Sequence, residues 1–366
     1  MKKAIKLLLV ILVLLILTLF MPFSFVSKKA KNNYEFIMKD SIENKNALVT
    51  KIKMLGAHDS FTEGIKLSSK PDPNETGIAT NKYVNLFAKG LVVRMSKTQN
   101  VSATTMLNAG VRYFDVRVTK VDDKYYVCHG YLGKDILDYV KEMVDFLGNH
   151  DGEFIVFDLQ HFYTADGANY ELAKEDYEAF FDYVNNYKND KNKSFLDYVH
   201  YNANADSLSN LTYEKVIGEN AGIIVLAKED GLSYAYYRDK DASYKEGRTY
   251  YSIRSFWHED NNTSRILKGI EEEYNYIKEK GYEGIFIVNQ AQKTGFILNQ
   301  KMIRSLFSWS LLDMARDFNS QMIKDKDRFM KYLDAMPIYM ADYVTSNKGD
   351  FNNLACKYIM EANKNL

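Results

Sequence analysis

Proline is scarce in this chain, four residues in 366, and cysteine is scarcer still, with only Cys128 and Cys356. With so little proline and no low-complexity tract, a disordered or extended chain is excluded. Two cysteines cannot build a disulfide scaffold or a structural zinc site. Cys128 lies in an apolar run and Cys356 in a helix-like segment, so both read as small core residues. An excess of one charge is also missing. Lys+Arg and Asp+Glu each total 48, which argues against a nucleic-acid binder with a broadly basic surface. The balance gives no global pull toward anionic lipid, although a local patch remains open.

What the chain does have is apolar: 46% of its residues are hydrophobic, enough for a sizeable core. Its length suits a single α/β barrel. Near the start, Lys2, Lys3 and Lys6 precede an uncharged apolar run over 7–26. Twenty helical residues span roughly 30 Å, the thickness of a bilayer core. Ser24-Phe25-Val26 makes a poor cleavage site, so the run is expected to be an uncleaved membrane anchor, with a cleaved signal peptide as the alternative. Either way the remainder is expected outside the cytoplasm, at the cell surface or secreted. Lys28, Lys29 and Lys31 on the far side blunt the positive-inside bias. The expected organisation is an anchor over 1–26, a polar linker over 27–48 with an entry helix around 34–42, and one globular unit over 49–366.

In that unit, short apolar runs alternate with longer amphipathic stretches. The runs cover 52–57, 111–118, 125–128, 154–159, 223–227, 250–256, 285–288 and 338–341. Several are almost continuously apolar, as strands buried on both faces should be. Helix-like segments lie over 136–147, 170–187, 266–280 and 305–318. This alternation predicts a parallel α/β fold. The run 125–128 follows too closely on 111–118 for a helical crossover, and Asp122-Asp123 signals a turn, so it reads as a hairpin. About seven parallel strands remain, which predicts an irregular (β/α) TIM-type barrel. In such barrels the chemistry sits at the C-terminal ends of the strands.

Those ends carry His58, Asp59 and Ser60; Asp115 and Arg117; His129 and Gly130; Asp158 and Gln160; Lys228; and Asp342. Two histidines flanking a scissile bond can divide the work of general base and general acid. An arginine offers a fixed fork of donors to phosphate oxygens, and a carboxylate beside each histidine orients the ring and favours its charged form. Taken singly, each histidine reads as an ordinary polar residue; the case rests on their falling together at strand ends.

These segments resemble the phosphatidylinositol-specific phospholipase C X-domain family. Met54-Leu55-Gly56-Ala57-His58-Asp59-Ser60 looks like its first catalytic motif, and Gly110-Val111-Arg112-Tyr113-Phe114-Asp115-Val116-Arg117 its second. His129-Gly130 follows at the family's spacing. Residues 153–162 resemble the next strand and 337–343 the last. The resemblance implies cleavage of an inositol phospholipid or glycolipid at a membrane surface. The inositol 2-hydroxyl would attack phosphorus, expel diacylglycerol and leave a cyclic inositol phosphate. His58 would be the base, supported by Asp342, and His129 the acid, supported by Asp59, with Arg117 neutralising the phosphate. Animal members use calcium there and simple bacterial members use arginine. Arg117, Gln160 and the His58-Asp59 pair thus resemble the bacterial, metal-independent type, and no metal or other cofactor is expected.

The resemblance fades between 160 and 335. By position, Lys228, Arg254, Trp257 and Gln160 are candidate substrate contacts, and Gln290 and Gln292 either bind substrate or satisfy backbone groups. Asp115 shares the parity of Arg117, and with Asp158 it reads as a supporting residue; Arg112, at odd offset, points to the other face and reads as structural. His150, His161, His200 and His258 read as surface or structural, His161 because it alternates away from Asp158 and Gln160. Two other functions compete. One is a metal-dependent glycerophosphodiester phosphodiesterase, which would need a carboxylate cluster. The other is a catalytically silent X-domain binding a lipid head group or surface glycan.

Overall fold

The computed structural model describes residues 33–75, 77–201, 208–238, 252–295, 310–346 and 348–366, with a few positions between 3 and 13. The expected membrane run over 7–26 falls largely outside the described residues. Among those that are described, no helix is long and apolar enough to cross a membrane.

Eleven strands are described: β1 Met54–Ala57, β2 Val111–Val121, β3 Lys124–His129, β4 Tyr131–Asp135, β5 Phe154–Thr164, β6 Gly167–Ala168, β7 Gly222–Ala227, β8 Tyr236–Tyr237, β9 Ile253–Phe256, β10 Phe286–Gln290 and β11 Ile338–Ala341. Eight form one curled parallel sheet in the order β8-β7-β5-β2-β1-β11-β10-β9. The parallel α/β architecture read from the sequence is therefore present as a curled half-barrel, with β8 and β9 as its two edges among the described residues. The hairpin is also present: β3 runs antiparallel to β2, and β4 antiparallel to β3. The two-residue β8 is too short to leave a sequence signal.

The parallel strands are apolar along almost their whole length because helices cover their outer face. The helix Ile136–Asn149 shows how the sequence enforces this. Asp135 caps it by accepting from Leu137 N at 3.0 Å, and Ile136, Tyr139, Val140, Met143, Val144 and Leu147 form its buried face. Such a cap is worth about 1 kcal/mol. The helix Thr263–Lys280 opens on an Asn262 cap and closes on Gly281 at φ 63°, the left-handed position glycine occupies without strain. Inside the barrel, Gly56 has a different purpose. A Cβ there would meet the Tyr113 ring at 2.9 Å. Without one, Tyr113 lies across the barrel floor and its hydroxyl donates to Asp158 at 2.6 Å.

Residues 35–41 form turns, not the helix expected around 34–42, and the segment packs against the base of the barrel, burying Ile37, Met38 and Ile42. Glu153, at the start of β5, accepts from Met38 N and Lys39 N and pairs with the buried Arg112 at 2.7 Å. Arg112 also donates to the Leu107, Val111 and Glu35 carbonyls. It lies on the face opposite Arg117 and fastens the chain entry to the barrel. Cys128 and Cys356 are both free and buried.

Candidate active site

Each strand end delivers its polar residue into one cavity of about 700 Å³. His58 and Asp59 follow β1, Asp115 and Arg117 lie on β2, His129 ends β3, and Asp342 follows β11. All six line the cavity, as do Gln160, Lys228, Trp257, Gln290 and Gln292.

Asp59 is the hub. Its Oδ2 lies 3.4 Å from His58 Nε2 and 3.4 Å from His129 Nε2, while its Oδ1 makes the ion pair with Arg117 Nε. Its backbone is held at φ 38°, a left-handed conformation unusual for a residue other than glycine. Neighbours fix this posture: Thr98 Oγ1 donates to the Asp59 carbonyl at 2.7 Å, and Ser60 N donates to the Asp115 carbonyl at 2.7 Å. Burial raises the Asp59 pKa, but Arg117, His58 and His129 outweigh it and hold the carboxyl below its usual range.

The far side of each imidazole is fixed differently. His58 Nδ1 lies 2.7 Å from Asp342 Oδ1. His129 Nδ1 lies 2.9 Å from the Ser96 carbonyl, which can only accept, so Nδ1 carries the hydrogen and Nε2 faces Asp59. The Ser96 contact has no sequence signal, because a backbone carbonyl is common to every residue. Burial lowers the His58 pKa, but Asp59, Asp342 and Asp115 overcome this and push it up to about 9. Asp115 is driven up to about 6 by burial and by Asp59, against Arg117 and His58. Arg117 is kept firmly charged by Asp59 and Asp115 despite its burial.

Along one wall, Lys228 is brought down to about 7 by burial and by Arg238, with Asp158 opposing. Asp158 lies beneath that wall, where it accepts from Tyr113 and from Arg238 Nε at 2.7 Å. It is an anchor for Arg238, a cavity residue the sequence reading missed because β8 is so short. Arg254 is elsewhere. It faces the covering helix, where Nε and a terminal nitrogen bond Glu273 at 2.5 and 2.8 Å under the rings of Tyr276 and Tyr282. The structure thus places this candidate contact outside the cavity. Trp257, on the same strand end, stays at the mouth, with Nε1 donating to Thr294 Oγ1 at 2.9 Å.

His161 differs from expectation. β2 and β5 pair Val116 with Leu159 but Arg117 with His161. Gln160 is the extra residue of this bulge, and the shift turns His161 into the cavity beside it. Bulges re-aim side chains in this way next to active sites.

Among the described residues two groups have the spacing of a metal site: His58, Asp59 and Asp115, and Asp72, Glu75 and Cys128, each with ligand atoms within 4.8 Å. In the first, Arg117 already pairs with Asp59, so an added cation would meet a guanidinium. Chemically, two imidazoles around one carboxylate can take a proton from one oxygen and return it to another, while the arginine holds an anion between them.

Fold and site together define a curled parallel α/β sheet that gathers two histidines, three carboxylates and an arginine at the C-terminal ends of its strands. Over part of its length the chain is similar to proteins of the PI-PLC X-domain family. No family model matches it, but curated relatives do. It is 32% identical over 140 residues to the mouse PI-PLC X domain-containing protein 2, covering 37% of this chain and 41% of that protein. It is 32% identical over 136 residues to the Trypanosoma brucei brucei variant-surface-glycoprotein phospholipase C, covering 34% and 37%. The match thus spans less than half the length of these relatives. Solved structures of phosphatidylinositol-specific phospholipase C align over more of the fold. That from S. aureus has a TM-score of 0.62 at 17% identity, covering 90% of this chain and 97% of that one. That from Listeria monocytogenes has a TM-score of 0.54 at 14% identity, covering 90% and 98%.

Proposed function

We propose that this protein is a phospholipase C that cleaves an inositol phospholipid or glycolipid by transfer within the substrate. The observation that carries the reading is Asp59 set between two imidazoles and an arginine. His58 removes the proton of the substrate's 2-hydroxyl, and that oxygen forms the new bond to phosphorus. The bond from phosphorus to the diacylglycerol oxygen breaks, and His129 supplies the proton this oxygen takes. The product is a cyclic inositol phosphate. Arg117 stabilises the charge that grows on the non-bridging oxygens. No serine or cysteine nucleophile is required, because the substrate carries its own, already oriented. His58 must be neutral to act, so activity rises with pH as it loses its proton.

A lipid surface suits the rim. Beside Ile78 and Ala79 at the mouth, the short helix Lys82–Phe87 buries none of its side chains. Tyr83 is 72% exposed, Leu86 and Phe87 58%, and Trp257 50%. An apolar rim around a polar cavity fits a substrate whose head enters while its tails stay in the bilayer. The N-terminal run would tether this catalytic unit to a membrane outside the cytoplasm. The deciding experiment is phosphorus NMR of the purified protein with phosphatidylinositol and with a glycosylated analogue. A cyclic inositol phosphate is expected from one or both, and release of phosphatidic acid or no turnover of either overturns the reading.

The His58, Asp59 and Asp115 spacing supports a second reading, metal-assisted hydrolysis of a glycerophosphodiester. In that case activity would vanish with chelator and the product would be an open phosphomonoester.

A further inference from the structure

We propose that His161 is a phosphate-binding residue, locked by Asn169 in the tautomer that presents Nε2–H to the non-bridging oxygen beside Arg117. The proposal deepens the phosphodiester reading and rests on it for the identity of the anion.

The lock follows from donors and acceptors alone. Phe162 N donates to Asn169 Oδ1 at 3.1 Å. A backbone N–H cannot accept, so this bond fixes which end of the Asn169 amide is oxygen. The other end, Nδ2, lies 3.2 Å from His161 Nδ1 and must donate to it. His161 Nδ1 is therefore the acceptor, and the ring hydrogen sits on Nε2. Asn169 is itself braced: Tyr177 Oη donates to its carbonyl at 3.1 Å, and its φ of 55° is one that asparagine tolerates. The ring plane is fixed by stacking on Tyr163, 5.6 Å between centroids and 7° apart.

The direction follows from register. Arg117 and His161 are cross-strand partners in a parallel pair, so their side chains leave the sheet on the same face, and both line the cavity. Arg117, Lys228, Arg238 and His129 surround His161, and together with burial they drive its pKa well below the ordinary value. It meets the anion as a neutral donor and adds no further charge to a cationic wall.

The test uses the full chain with nitrogen-labelled histidine. The resting spectrum should show His161 protonated on Nε2. Inorganic phosphate should shift that hydrogen, whereas myo-inositol should not. His161→Phe keeps the stacked ring but loses the donor, and phosphate affinity should fall about ten- to hundredfold, the range for a hydrogen bond to a charged group. His161→Gln, which can place an amide donor near Nε2, should recover most of it. Asn169→Asp still accepts from Phe162 N but must now also accept from His161, so it should move the hydrogen to Nδ1 and weaken phosphate binding with the thermal midpoint preserved. A resting Nδ1–H tautomer, a response to inositol without one to phosphate, or unchanged phosphate affinity in His161→Phe overturns the proposal. Phosphate binding with these effects in a protein that cleaves no inositol lipid would leave the proposal standing and remove only the proposed substrate.

Discussion

Replacing Asp342 by asparagine is the sharpest probe of the acid–base centre. The change preserves size and leaves an oxygen that can still accept from His58 Nδ1, 2.7 Å away, but it removes a full negative charge. His58 is raised to about 9 from the ordinary histidine value of 6.5, a difference worth a few kcal/mol. Burial opposes this rise, so the three carboxylates supply more than the net figure. Asp342 is the nearest of them, at 2.7 Å against 3.4 Å for Asp59 and 4.0 Å for Asp115. Its loss should lower the His58 pKa by about 1–2 units. The rising limb of kcat/KM against pH should move down with it, and kcat should fall by about 10²–10⁴ because the base is weaker and less well oriented. Stability should change as well. A raised histidine pKa stabilises the fold in full below the unfolded value of 6.5, and the contribution is lost as pH rises through about 9. The variant should flatten that part of the melting profile. The measurements are an NMR titration of His58 and steady-state rates on a soluble inositol phosphodiester. A folded Asp342→Asn protein with an unmoved His58 pKa and kcat within a few-fold of normal would refute the reasoning.

Other outcomes follow from the same geometry. Arg117→Lys keeps the charge but loses the planar fork, so kcat should fall about 10²-fold with a smaller effect on substrate binding; normal kcat with a lowered melting temperature would make the arginine structural. Activity should persist in excess chelator, and loss restored by calcium would revive metal-assisted chemistry. Leu86→Ala with Phe87→Ala should weaken binding to phosphatidylcholine vesicles by about tenfold or more, given about 1.5–3 kcal/mol per fully buried apolar side chain, while rates on a soluble substrate stay unchanged. Arg254→Met leaves Glu273 buried without its partner and should cost about 3–5 kcal/mol of stability, read by denaturant unfolding, with normal turnover in the folded fraction.

The sequence made the parallel strands and their polar ends legible because both rest on local patterns. Doubly buried strands are apolar runs, and the polar residue after each run lies at the cavity. Parity separates Arg112 from Arg117 on β2: Arg112 pairs with Glu153 away from the cavity, and Arg117 lines it. The same argument failed for His161, where the bulge at Gln160 shifts the register, a property of the strand pair that one strand cannot announce. Position in its apolar run suggests Arg254 as a substrate contact, but its partner Glu273 comes from a helix, and helix-to-strand pairing is set by packing. Arg238 escaped notice because two residues of strand make no periodicity.

The fastening of residues 34–42 to the base also sets an orientation. Tyr34 N donates to the Asn108 carbonyl and Arg112 to the Glu35 carbonyl, both at the end of the barrel where strands begin. The cavity opens where they finish. Asn33 and Tyr34 therefore lie at the back of the barrel. A protein held to a bilayer by that end would look outward, toward an opposing membrane or a lipid brought to it, and would have to tip over to graze on the leaflet that carries it.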